Sequence, residues 1–133
     1  MRAARAVGCT PAEIAKTVLF IVDGKPVAVS TSGDVKVRGG LLKQLLGWRG
    51  KVRLPDAEEV IRYTGYAPGG VCPFLLPGDL TVVVDDSLRR FPVVYAAAGD
   101  DHSVVPVTVA QLLALPGGVA GSVCAPIEEA QTA

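Results

Sequence analysis

Thr17 to Val22, TVLFIV, is an unbroken β-branched and aromatic run, and Asp23-Gly24 immediately after it is a hairpin turn signal leading into Val27 to Thr31. No other feature restricts the fold as tightly. A strand apolar at every position must be covered on both faces, so the two stretches make a buried hairpin. Other elements follow from local chemistry. Ala3 to Cys9 reads as the last turns of a helix, and Thr10-Pro11-Ala12-Glu13 as a capping box with proline at the first helical position, opening a short helix toward Ala15. Leu41 to Leu46 has helical spacing and stops at Gly47; Lys51 to Leu54 alternates like a short strand. Asp56-Ala57-Glu58-Glu59 caps a helix that ends at Gly65.

Downstream, Leu80 to Val84, Val93 to Ala97 and Ser103 to Val107 read as strands, with Asp85-Asp86-Ser87 breaking the first. Thr108 to Gln111 caps a helix running to Leu115, Gly117-Gly118 ends it, and Val119 to Cys124 is a last edge strand. About six strands and four short helices result, mixing hairpins with strand-helix-strand units, which is a single mixed-sheet α/β domain over residues 1–133.

Half of the residues are apolar and a fifth are charged, which fits neither disorder nor a membrane span. The start, Arg2 to Gly8, has basic residues but no apolar core of signal-peptide length, so the chain is expected in the cytoplasm. Cys9, Cys72 and Cys124 are an odd number at wide spacing, which argues against a disulfide framework and a zinc knuckle. Thirteen basic and thirteen acidic residues cancel, yet Lys36, Arg38, Lys43, Arg49, Lys51 and Arg53 follow one another with no carboxylate among them. That segment is either an ordinary solvated face or a contact for a polyanion.

Gly65 to Phe74, GYAPGGVCPF, can be neither helix interior nor central strand, because proline lacks the amide hydrogen and glycine loses extra entropy on ordering. A shaped loop of this kind is the first place to look for a site. Familiar catalytic motifs are absent, and the one histidine, His102, reads as a loop residue beside Asp100-Asp101. Cys72 is either a nucleophile activated by a cation or a small apolar filler, the packing argument favouring the filler; Cys9 and Cys124 read as core residues. Lys16, at the mouth of the most apolar strand, either snorkels to water or holds an anion such as a phosphate.

Ile14-Ala15-Lys16-Thr17-Val18-Leu19-Phe20, Thr64-Gly65-Tyr66 with Gly69-Gly70-Val71 and Pro73-Phe74, Val84-Asp85-Asp86-Ser87-Leu88, and Ala98-Gly99 closing a strand occur in one order. In that order they resemble the YbaK family of aminoacyl-tRNA deacylases, which is similar to the editing insertion domain of bacterial prolyl-tRNA synthetase. The resemblance runs from Ala3 to about Cys124. It implies a mixed, mostly antiparallel, partly barrel-like sheet with several short helices. It also implies hydrolysis of the ester joining a wrong small amino acid, such as alanine, cysteine or proline, to a tRNA 3′ end, with no metal, cofactor or covalent intermediate. Lys16 would hold the phosphate of the terminal nucleotide, and amide hydrogens at Gly69 and Gly70 would bind the oxyanion; Val71, Cys72, Pro73 and Gly99 would line the substrate. Water would attack with help from a hydroxyl of the terminal ribose, and the Lys36 to Arg53 segment would touch the acceptor stem. Misacylated tRNA is the implied partner, a synthetase the second the resemblance suggests, and no membrane is involved.

The chain departs from the family in having few residues before the Ala3 to Gly8 match, in Cys72, and in Ala97-Ala98 where glycines are frequent. The first departure implies either a start assigned too late or a shortened relative with an open pocket. Two rival readings follow, a catalytically weak module that binds the tRNA end and a hydrolase using Cys72.

Overall fold

The computed structural model describes residues 11–66, Val71, Leu76, and residues 80–97, 104–115 and 117–126. The chain enters through a 3₁₀ turn, Pro11–Glu13, into β1, Ile14–Val22, which turns back into β2, Lys25–Ser32. Asp23 and Gly24 both have positive φ, 53° and 75°, which is the twist a two-residue hairpin needs. Then come β3 (Val35–Val37), α1 (Gly39–Leu46), β4 (Val52–Arg53), α2 (Ala57–Thr64) and β5 (Thr81–Asp85). A 3₁₀ turn, Asp86–Arg90, leads to β6 (Val94–Ala97), β7 (Val104–Val107), α3 (Val109–Leu113), β8 (Gly118–Gly121) and β9 (Cys124–Pro126). None of the described helices is long and apolar enough to cross a membrane.

The main sheet runs β7-β6-β1-β2-β5-β8, with β4 also on β1; β3 and β9 form a separate pair. The β1–β2, β1–β4 and β6–β7 pairings are antiparallel, and β1–β6, β2–β5 and β5–β8 are parallel. The expected mixed α/β sheet with short helices is therefore present, and the apolar hairpin lies at its middle.

Alternation along the strands sorts side chains onto two faces. Val22, Val27, Val29 and Val83 on one face pack with Leu42 of α1 and with Val123. On the other, Leu19, Ala28, Leu80 and Val82 meet Tyr63 and Leu76, while Ala15, Val84, Val94 and Ala96 meet Leu88 and Leu112.

Three local expectations need correction. The Thr10–Glu13 capping signal does not open a helix through Ala15: the strand already begins at Ile14, because Ala15 pairs with Ser32 on one side and Ala96 on the other. Tertiary pairing overrides the cap. Val119 to Cys124 is two strands in two sheets, not one. β3, too short to show periodicity, was not expected. The proposed helix over Ala3 to Cys9 lies outside the described residues.

α2 has the anticipated capping box, with Asp56 Oδ1 accepting from Glu59 N at 2.8 Å. Arg53 donates to both carboxylate oxygens of Glu59, at 2.8 and 2.7 Å, joining β4 to α2. That guanidinium, and then the Asp56 amide, hold the Glu59 carboxyl down at about 2. A depressed carboxyl contributes stability above its unfolded value of 4.5 and loses it as pH falls toward 2. Unfolding midpoints measured through that window should fall less steeply in Glu59→Gln than in the parent. Leu42 is fully buried and fastens α1 to the sheet. Urea titration of Leu42→Ala should show a loss of about 2–5 kcal/mol.

Candidate functional site

At one end of the sheet three buried strands change character together. β1 supplies Lys16 and Thr17, β2 supplies Ser30, Thr31 and Ser32, and β5 ends in Asp85. Thr17 faces Ser30 and Lys16 faces Thr31 in the β1–β2 register. The Thr17 and Ser30 hydroxyls bond each other at 2.8 Å, and Ser32 Oγ is buried with no hydrogen-bond partner.

Asp85 is only 3 % exposed. One oxygen accepts from Val123 N at 2.8 Å and the other from Ser87 N at 3.0 Å, so the carboxylate fixes both the turn after β5 and the corner between β8 and β9. Its signal in the sequence was available: an aspartate closing an apolar strand two residues before a serine is a local capping pattern.

Lys16 is half-buried in β1, on the face carrying Phe20 and Val22, and belongs to no ion pair among the described residues. Cys124 lies near it. Burial first, then the charge and hydrogen bond of Asp85, push this thiol well above its ordinary value, with Lys16 acting weakly the other way. A thiol held protonated is a poor nucleophile, which agrees with reading Cys124 as structural.

On the side of β1 away from β2, Ile14 and Ala15 pair with β6 and Ile21 and Val22 pair with β4. Between them, no described strand pairs with Lys16 to Phe20.

The glycine segment is anchored near that stretch. α2 ends at Gly65, φ 80°, and Thr64 Oγ1 both donates to Val60 O at 2.6 Å and accepts from Tyr66 N at 3.1 Å. Tyr63 before the segment and Leu76 just after it pack on the cluster containing Leu19, and Val71 within it is buried. Gly69, Gly70, Cys72, Pro73, Gly99 and His102 lie outside the described residues. The packing places the flanks of the segment against the opposite face of β1 from Lys16.

The basic residues occupy different places. Arg38 N bonds Val123 O at 2.7 Å, which puts Lys36 and Arg38 at the polar end. Lys43 rides on α1, and Arg49 and Lys51 are exposed near the β1–β2 turn, where Asp23 N bonds Lys51 O at 3.1 Å. Arg53, expected to contact RNA, is instead clasped by Glu59. Lys25, outside the segment, lies 5.2 Å from the centre of the Trp48 ring and joins the turn-end group.

Truncating Asp85 would leave two amides without acceptors. Asp85→Ala should cost about 2–4 kcal/mol in chemical denaturation, and Asp85→Asn, which keeps one acceptor oxygen, distinctly less.

Comparison with known proteins adds an independent line. The sequence profile of the aminoacyl-tRNA editing domain matches residues 1–115. The uncharacterized protein YwhH of Bacillus subtilis (strain 168) is 36% identical over 112 residues, covering 84% of this chain and 70% of its own. A proline–tRNA ligase of Desulfovibrio desulfuricans is 40% identical over 98 residues, 72% of this chain but only 17% of the ligase. Among solved structures, a candidate trans-editing enzyme for prolyl tRNA synthetase superposes with a TM-score of 0.82 at 32% identity, over 91% of this chain and 76% of that one.

Proposed function

The chain belongs to the aminoacyl-tRNA editing domain family, and on that footing we propose that it removes a wrongly attached small amino acid from a tRNA by hydrolysing the ester. The observation that carries this reading is Lys16: a half-buried cation, in no ion pair among the described residues, on a stretch of β1 that only β2 pairs among the described strands. An ammonium with no counter-ion among the described residues fits an anion brought by the substrate, and a terminal phosphate supplies one.

The reaction needs little from the side chains. Water adds its hydroxyl to the carbonyl carbon, the bond to the ribose oxygen breaks, and the products are the free amino acid and a tRNA ending in a hydroxyl. Negative charge on the carbonyl oxygen would be met by amide hydrogens at Gly69 and Gly70, where the absence of a Cβ lets the main chain come close. A ribose hydroxyl would carry the proton from water. This suits a chain whose one histidine sits in no recognisable catalytic motif. An ester is already activated, so orientation and electrostatics suffice for a useful rate. Val71, Cys72, Pro73 and Gly99 would shape the pocket for the amino acid.

With a panel of misacylated tRNAs as substrates, Lys16→Ala should lower deacylation about 10²-fold or more, with the circular dichroism spectrum preserved. Cys72→Ser should keep a substantial part of the activity. Loss of turnover in Cys72→Ser with retention in Lys16→Ala would instead establish a thiol nucleophile. Binding of tRNA with no hydrolysis of any panel member would reduce the protein to a binding module.

A further inference from the structure

The two ends of β1 differ in chemistry. Lys16 stands at the polar end; Val22, six residues on, stands beside the turn, about 20 Å away at the rise of an extended strand. Between them lies the stretch of β1 that only β2 pairs among the described strands, with β4 at its far limit.

Around that limit the chain brings three cations near one another. Lys51 directly precedes β4, Arg49 lies two residues earlier, and Lys25 opens β2 opposite Val22. All three are exposed, and none forms an ion pair among the described residues. Their placement is built rather than loose. Lys25 rests over Trp48, whose amide bonds Lys43 O at 3.2 Å, and Lys51 O receives the Asp23 amide. Asp23 is the carboxylate facing the group, and its side chain lies where a Cβ on Gly50 would be, within 2.7 Å. Arg53 next door is neutralised by Glu59.

We infer that this turn-end group, Lys25, Arg49 and Lys51, is the docking surface for the phosphate backbone of a tRNA acceptor helix whose unpaired 3′ end reaches toward Lys16. The inference rests on the proposed deacylase reading for the direction of the RNA. Charge complementarity selects the occupant: three unpaired cations against one carboxylate suit closely spaced phosphates, and the strand-length offset from Lys16 is one that a short single-stranded 3′ end bridges. The role given to Arg53 from sequence passes to Lys25.

The test measures binding of an uncharged tRNA transcript by fluorescence anisotropy across a salt series, so it does not require turnover. In K25Q/R49Q/K51Q the dissociation constant should rise at least about tenfold near 0.1 M salt, and the slope of log K against log salt should shrink by about two to three. Single variants R49Q and K51Q should each shrink it by about one, which covers the case of a triple variant that folds poorly. R62Q/R89Q, which removes charge elsewhere, should leave both quantities close to the parent. Hydrolysis of a short aminoacylated oligonucleotide ending in CCA should be unchanged in the triple variant. Unchanged tRNA affinity and slope in the triple variant, an equal loss in R62Q/R89Q, or a loss confined to binding of phosphatidylserine vesicles would each overturn the inference. A parent protein that hydrolyses no substrate, with tRNA binding lost in the triple variant, would sink the deacylase reading and leave the docking surface standing.

Discussion

Everything in this domain is arranged around main-chain hydrogen bonding of one buried strand. β1 is covered on both faces, so its amides and carbonyls must find partners along both edges. β2 satisfies one edge over eight consecutive pairs, from Ala15↔Ser32 to Val22↔Lys25. Among the described strands, the other edge is shared between β6 and β4, which reach only its two ends. A site placed on this strand inherits a rigid, apolar backing. Such backing is what a reaction dependent on position rather than reactive side chains requires.

Asp85 makes that edge possible from the opposite side of the hairpin. Burying a carboxylate is tolerated only when its oxygens are bonded, and here both accept from amides. One of those amides belongs to Val123, so the charge also dictates where the chain turns between β8 and β9. That turn brings Cys124 beside Lys16 and lets β3 and β9 cover the face on which the lysine lies. A single polar residue thus links the C-terminal strands to the neighbourhood of the candidate site.

Much of this was legible in the sequence where local chemistry and tertiary structure agree. The TVLFIV run, the Asp23-Gly24 turn, the Asp56 and Thr108 capping boxes and the Gly47 and Gly65 stops all appear where residue type demands them. Failures came where long-range pairing decides. Nothing within Thr10–Glu13 reveals that Ala15 has strand partners at Ser32 and Ala96, and nothing within Val119–Cys124 reveals that a carboxylate thirty-eight residues earlier takes the Val123 amide. For the site, Lys16 was legible as a cation where apolar packing gives it no purpose. Asp85 stands in a local capping pattern with Ser87, but its burial and its hold on Val123 are set by the fold alone. The pairing of Arg53 with Glu59 and the place of Lys25 beside Trp48 were not legible, because only the fold brings those elements together.

The same logic explains how a chain with zero formal charge can present a surface suited to a polyanion. Net charge counts residues, whereas a ligand meets only charges left unmatched within a screening length. Among the described residues Arg53 is held by Glu59, Arg89 by Asp86 and Arg90 by Asp34. Each pair withdraws one charge of either sign, and Asp85 is withdrawn by burial without consuming a cation. What remains unmatched along α1 and the turn is mostly positive, because the segment from Lys36 to Arg53 has no carboxylate of its own and its nearest outside partner, Glu59, engages only the last member. The field that matters is therefore set by which ion pairs the fold closes, not by the count of charges.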